Sequence, residues 1–306
     1  MTDYAIYDVF TDTALAGNPL AVVFDADHLD DARMQAIAGE FNLSETVFVL
    51  KPENPVHSAR LRIFTSSHEL PFAGHPTVGA AIALADIQLG DAVPANGIDM
   101  VKMIEEQIGP VRCAVRISAG EAGFAEFDLP KLSRQLEAEI EPADIGAALG
   151  LDPQEIGFEN HRVSLWSAGV PFVLVPVHDL AAAAKAECSA ADWARIAPMG
   201  DGQLAYAYVY CRGGVNHAAS FHARMFAPGE GMPEDPATGS AAAALSGAIH
   251  QFDGLLDGNH PLLIEQGVEM GRPSLIHLHI DCAGAEISHV RIGGQAVRIA
   301  TGRLLL

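Results

Sequence analysis

"FAGHPTVGAAIAL", residues 72–84, sets a histidine and a proline ahead of a run of small apolar residues, and "EDPATGSAAAAL", residues 234–245, repeats the design with an aspartate in the histidine's place. Proline suits the first helical position because its missing N–H would have no intrahelical partner there. Aspartate is a preferred N-cap. Both stretches therefore predict helix N-termini, with His75 and Asp235 as caps and Pro76 and Pro236 opening the helices. The helices themselves, "TVGAAIALA" and "ATGSAAAALSGAI", carry no charge on any face, which is the pattern of a helix buried all round. Gly79, Ala80, Gly239 and Ala241 would let neighbouring backbone come close. Each helix is expected to thread the middle of its own lobe, surrounded by strands.

Working outward, other segments recur in the same order. "AGNPLAVVFD" from Ala16 matches "AGVPFVLVPV" from Ala168, and "RIFTSSHELPFAGHP" from Arg62 matches "RMFAPGEGMPEDP" from Arg224. The offsets are 152, 162 and, from His75 to Asp235, 160 residues. Solenoid repeats are only about 20–50 residues long, so the reading is a duplication into two homologous lobes. We place lobe one at residues 1–120, with Glu45 and His75, and lobe two at 121–306, with Asp235, the final strand being free to return to lobe one. Asp30 to Phe41 reads as a helix with Met34, Ile37, Ala38 and Phe41 on one face. Ser133 to Leu149 reads as another, "GDAVPANG" (90–97) as a loop, and the tail "VRIGGQAVRIATGRLLL" as two strands joined by a turn.

The chain has 306 residues and a net charge of −21, a balance that argues against nucleic acid or an anionic membrane as partner. "MTDYAIYDVF" has neither a basic n-region nor an apolar h-region, so no secretory signal is read. Cys113, Cys188, Cys211 and Cys282 are scattered without metal-ligand spacing and read as reduced thiols of a cytoplasmic protein.

An anionic ligand would need a local attraction that overrides this charge. A buried helix N-terminus supplies one, through its free N–H groups and the positive end of its dipole. On the plainer reading, His75 and Asp235 are caps and nothing more, but their equivalence in a repeat favours a functional role. "FNLSETVFVL" (41–50) adds Ser44 and Glu45 at the start of an apolar strand, whereas the second repeat reads "QLAYAYVY" at a comparable offset, with no acid. One lobe thus holds a carboxylate that its twin lacks, as a duplicated scaffold would if it gained a one-sided acid/base.

"NLSETVFV", "ELPFAGHPTVG", "EDPATGS" and "QGVEMGRPS", in this order, resemble the PhzF family of phenazine-biosynthesis-like proteins, and the likeness runs over nearly the whole chain. The resemblance implies an α+β, diaminopimelate-epimerase-like fold: two pseudo-symmetric lobes, each a β-barrel wound round a central helix, with the active site between them. The related epimerases carry a cysteine at each helix mouth; here His75 and Asp235 stand there, which excludes two-thiol racemisation. The resemblance further implies an isomerase with no cofactor or metal, in which Glu45 takes a proton from one ring carbon of trans-2,3-dihydro-3-hydroxyanthranilate and returns it to another. His75 and Asp235 would orient substrate or relay a proton. Gly74, Gly239 and Ser240 would contact the substrate's carboxylate, with Ser44 assisting in substrate binding next to the base. A homodimer is the family expectation. Because an ordinary glutamate is a weak base toward carbon, the apolar neighbours Val47 and Phe48 are expected to help desolvate Glu45.

The same motifs also fit a non-catalytic small-carboxylate binding protein, since a fold and a binding motif do not fix a reaction. A carrier needs the helix mouths but not the glutamate. His277 and His279 in "LIHLHID" share a strand face without a third ligand at metal spacing, and read as exposed strand histidines. His217 and His222 read as unremarkable, and Arg272 and Ser274 as secondary candidates near the cleft.

Overall fold

The computed structural model describes residues 1–90, 92–228 and 233–306. Asp91, in the stretch read as a loop, and residues 229–232, inside the second repeat, lie outside the described residues. The chain divides into two compact units, Met1–Pro130 with Gly293–Leu306, and Lys131–Ile292.

Unit one contains β1 (Thr2–Val9), β2 (Asn18–Val23), α1 (Asp31–Phe41), β3 (Glu45–Leu50), β4 (Ala59–Phe64), β5 (Glu69–Leu70), α2 (Gly74–Leu89), β6 (Ile98–Glu106), β7 (Gly109–Ile117) and β8 (Gly123–Asp128). Pairing runs β1–β2–β3–β4–β6–β7–β8, and the C-terminal strand (Glu286–Leu304) joins β8 back to β1. The result is a closed barrel. Helix α2 packs against β1, β2, β3, β6, β7 and β8, and every residue from Gly74 to Ala83 is buried. The charge-free stretch Gly74–Ala83 fits this position because no face of it meets water, whereas the last turn, with Asp86 and the exposed Ile87, emerges from the barrel. Gly79 is there for closeness: a Cβ on it would lie 2.5 Å from Leu20 Cδ2 and 2.7 Å from Val9 Cγ2. Helix α1 covers the outside, with Asp30 accepting from Arg33 N at 2.8 Å as its cap and Met34, Ile37 and Ala38 buried.

Unit two contains β9 (Arg134–Leu136), α3 (Pro142–Leu149), β10 (Ser164–Ser167), β11 (Pro171–Pro176), α4 (Leu180–Lys185), α5 (Ala190–Ile196), β12 (Met199–Gly200), β13 (Gln203–Leu204), β14 (Tyr206–Arg212), β15 (Phe221–Phe226), β16 (Glu234–Asp235), α6 (Gly239–Asp253), β17 (Gly258–Gln266), β18 (Ser274–Ala283) and the first part of β19 (Glu286–Leu304). Helix α6 is again buried nearly all round. It packs against β9, β10, β11 and β18, so the sheet curls about it. A second apolar core lies outside that sheet, where Ile145, Leu149, Ala183 and Trp193 of the outer helices meet Val173, Val175 and Val209.

The order and sense of pairing are the same in both units. β1–β2 is antiparallel, β2–β3 parallel, β3–β4 and β4–β5 antiparallel, β4–β6 parallel and β6–β7 antiparallel. The series β10, β11, β14, β15, β16, β17 and β18 repeats each step.

The first unit runs on past residue 120 to Pro130, with β8 pairing to β7, and the end of the chain returns to it from Gly293. Two expectations need correction. Of the helix expected over 133–149, only Pro142–Leu149 forms; Arg134–Leu136 is drawn into pairing with β10. The tail is one long strand, not two. Gly293 is no turn residue but a point of close approach, where a Cβ would lie 2.8 Å from Ala125 O. All four cysteines are free thiols. Among the described residues, no helix is long and apolar enough to cross a membrane.

Candidate active site

β2 and β3 run parallel, with Leu20 opposite Glu45, so Asn18 and Glu45 stand at the same end of the unit-one barrel. The N-terminus of α2 arrives there too. His75 is buried, with Nε2 3.3 Å from Glu45 Oε2 and Nδ1 3.3 Å from Asn18 Nδ2. An amide nitrogen can only donate, so Nδ1 accepts and the one proton of a neutral ring sits on Nε2, toward Glu45. The distance to Glu45 is that of an ion pair, yet complete burial pushes the His75 pKa down to about 3. Desolvation wins: the Glu45 carboxylate at 3.3 Å does not offset it. The imidazole is therefore neutral at neutral pH. Ser44 and Gly74 are at the same end, Ser44 beside Glu45 and Gly74 as the first residue of α2.

The caps differ from expectation. Ala73 is the N-cap of α2, which puts His75 and Pro76 inside the first turn. In unit two, Thr238 is the N-cap of α6, and Asp235 ends the extended β16. Two causes hold Asp235 extended: its pairing with Met225 and the steric bias against helix just before a proline. Neither residue holds the N-cap position.

Around Asp235 a directed hydrogen-bond chain forms. Gln266 Nε2 donates to Thr238 Oγ1 at 3.0 Å, and Thr238 Oγ1 donates to Asp235 Oδ2 at 2.5 Å. Gln266 also donates to Asp235 O at 2.8 Å and accepts from Thr238 N and from the Tyr208 hydroxyl, at 3.2 and 3.3 Å. Gly239 and Ser240 open α6, ahead of the first amides that bond back to Thr238 O, so their N–H groups have no intrahelical acceptor. Glu45, His75, Ser44 and Gly74 thus belong to unit one, and Asp235, Gly239 and Ser240 to unit two.

The register gives the one-sided acid a firmer basis. Under the 152-residue offset Leu20 corresponds to Phe172, and Phe172 lies opposite Tyr206 as Leu20 lies opposite Glu45. Tyr206 therefore stands where Glu45 stands in the twin. Phe48 belongs to the core under α1, edge-on to Phe64, so it does not line the Glu45 end as expected.

Each unit also clamps the short strand that leads to its helix. Arg62 holds Glu69 through two hydrogen bonds of 2.7 and 2.6 Å and stacks on Phe64. Arg224 holds Glu234 at 2.8 and 2.9 Å and stacks on Phe226. These pairs, with Asn18, Thr238 and Gln266, are what the residue-by-residue reading missed. The signal existed: both arginines open the matched repeat strings, Gln266 opens "QGVEMGRPS", and Asn18 sits in "AGNP", read only as a turn.

"QGVEMGRPS" packs on the Asp235 segment. Gly267 has φ +78, and a Cβ there would lie 2.5 Å from both Pro236 O and Arg272 O. Gly267→Ala is expected to destabilise the protein by at least roughly 1–2 kcal/mol from the left-handed backbone alone, with the clash added, as read from urea unfolding. Ser274 is buried and donates to Arg272 O at 3.0 Å, fixing that loop. His277 and His279 alternate on β18 with the buried Ile276, Leu278 and Ile280, and are half-buried rather than exposed. Among the described residues, no group of three or more His, Cys, Asp or Glu side chains suits a metal ion. His217 is exposed, but His222 is far from unremarkable. Burial would lower its pKa, yet bonds of 2.8 and 3.0 Å to Glu265 and Glu269 outweigh this and push it up to about 9, giving a buried cation.

Comparison with known proteins adds three findings. The family model described as "Phenazine biosynthesis-like protein" matches residues 7–302. An uncharacterized isomerase of Mesorhizobium japonicum is 56% identical over 305 residues, covering 99% of each chain, and the trans-2,3-dihydro-3-hydroxyanthranilate isomerase of Pseudomonas aeruginosa is 35% identical over 100% of each. Among solved structures, a PhzF-family phenazine biosynthesis protein of Bacillus anthracis superposes with a TM-score of 0.87 over 100% of this chain and 99% of its own, at 23% identity. That likeness is one of fold.

Proposed function

The chain belongs to the phenazine biosynthesis-like protein family, whose relatives here are isomerases, and on that footing we propose that it moves a proton between two carbons of a small anionic substrate with Glu45 as general acid/base. The observation that carries this reading is the Glu45–His75 contact at 3.3 Å, built on one unit and replaced by Tyr206 in the register of the other. The Glu45 carboxylate takes the proton from carbon, becoming a carboxylic acid, and returns it to a different carbon. No atom or electron is gained or lost overall. His75, neutral and carrying its proton on Nε2, serves as a hydrogen-bond donor to a substrate oxygen or to the developing acid. Its burial keeps it from competing as a base.

Asp235, held by Thr238 and Gln266, carries the companion role of orienting a polar substrate group, and the first amides of α2 and α6 that of binding a carboxylate. The repeated pairing order supports two pseudo-symmetric lobes of common origin. The substrate class is taken from the Pseudomonas aeruginosa relative.

The test is proton NMR of trans-2,3-dihydro-3-hydroxyanthranilate incubated with the protein in deuterated water. Loss of the substrate signals with one deuterium entering the product ring is expected. Saturable binding with no carbon-bound exchange, for this compound and related small carboxylates, would overturn the isomerase reading and leave a carrier.

A further inference from the structure

Glu106 ends β6 in unit one and is only 7% exposed. Its Oε1 lies 2.7 Å from Thr77 Oγ1, and its Oε2 is buried with no hydrogen-bond partner among the described residues. Thr77 Oγ1 also lies 2.8 Å from Ala73 O, the N-cap carbonyl of α2. A carbonyl can only accept, and a threonine hydroxyl has one hydrogen to give. Both contacts are served at once if the hydrogen between Glu106 and Thr77 comes from Glu106.

The duplication supplies an independent witness. β4 and β6 pair with Ala59 opposite Ile104 and Arg60 opposite Glu105; β15 and β17 pair with Phe221 opposite Ile264 and His222 opposite Glu265. The two glutamates have matching environments. Glu105 accepts from Glu53 N, Asn54 N and His57 Nδ1, and Glu265 from Val215 N, Asn216 N and His222 Nδ1. The next residue in each strand is Glu106 in unit one and Gln266 in unit two. Gln266 touches the threonine at its own helix mouth by donating an N–H to Thr238 Oγ1. A protonated glutamate is the near-isostere of a glutamine: one acceptor oxygen, one donor, no charge.

We propose that Glu106 is a neutral carboxylic acid in the folded protein, donating to Thr77 and through it to the Ala73 carbonyl, and so acts as the positioning residue for the helix mouth that carries His75. Burial agrees, pushing the Glu106 pKa up to about 8 against a smaller opposing effect of the Thr77 hydrogen bond. β6 thereby holds α2 at both ends, since the inward-facing Lys102 bonds Gln88 near the helix C-terminus. The groups facing Glu106 do not reverse this. On β7 the Cys113 thiol is itself pushed up by burial and by Glu106. The cleft that Glu106 borders is lined by Glu53, His57, Arg60, Arg62, Glu69 and Glu105, whose arginines are already engaged by Glu53, Glu69 and Asp31. Ionisation would strand a carboxylate and pull the Thr77 hydrogen away from Ala73.

The bearing on turnover rests on the function proposed above, but the protonation state does not, so the two can fail separately. Infrared difference spectra of the wild type against Glu106→Gln are expected to show a carboxylic-acid carbonyl band at pH 6 that is lost as pH rises through about 8. Glu106→Gln should fold at least as well as the wild type and keep its rate at alkaline pH, where the wild type declines. Absence of the band at pH 6, or a Glu106→Gln protein that does not fold, overturns the proposal. Turnover that falls equally in both proteins above pH 8 would refute the positioning role even if the band is present.

Discussion

Glu45→Gln is expected to lower turnover by about 10²–10⁴-fold, the range of a lost general acid/base, while substrate binding measured by calorimetry changes little. Glutamine keeps the size and the hydrogen-bonding oxygen, but its amide cannot take a proton from carbon. The contact with His75 Nε2 at 3.3 Å can survive, because that nitrogen bears the proton and needs only an acceptor. Turnover within a few-fold of the wild type would remove Glu45 from the chemistry. The pH profile is a second check. With the His75 pKa pushed down to about 3 by burial, no limb in the ordinary histidine range is expected in the profile, and one that disappears in His75→Asn would contradict the neutral ring.

Arg224→Ala should cost about 3–5 kcal/mol in urea unfolding, the usual penalty for removing one partner of a buried ion pair. The Arg224 side chain is 8% exposed and Glu234 15%. The guanidinium also donates to Ala183 O, Ala184 O and Ala186 O at 3.0, 3.1 and 2.7 Å, satisfying the C-terminal carbonyls of α4. Its loss would leave a buried carboxylate and open helix carbonyls together. Arg62→Ala removes the equivalent clamp in unit one and should cost less, because Arg62 is 22% and Glu69 31% exposed and water screens what remains. Equal effects at the two sites would contradict the burial argument. Arg224→Lys is expected to fall in between, keeping the charge but losing the two-pronged fork.

Much of the active end was legible from local pattern. The charge-free helices, the matched strings and the missing acid in the second repeat are one-dimensional signals, and each became an element or a contrast in the structure. What stayed hidden depends on pairing partners. Asp235 looked like a cap because aspartate before proline resembles one; it is extended because β16 is held against β15. Residues 134–136 read as helix but became strand once β10 offered a partner. His222 looked ordinary because nothing nearby in sequence shows that Glu265 and Glu269 close on both its nitrogens.

Composition, periodicity and repeat offsets belong to the chain whatever its surroundings, and they carried the duplication and the two buried helices and, with the family resemblance, singled out Glu45, His75 and Asp235 as candidates. The tautomer of His75, the chain from Gln266 through Thr238 to Asp235, and the pairing of Glu106 with Thr77 came only with folding. Protonation and hydrogen-bond direction depend on burial and on which atoms lie within about 3 Å, and those neighbours come from strands far away along the chain.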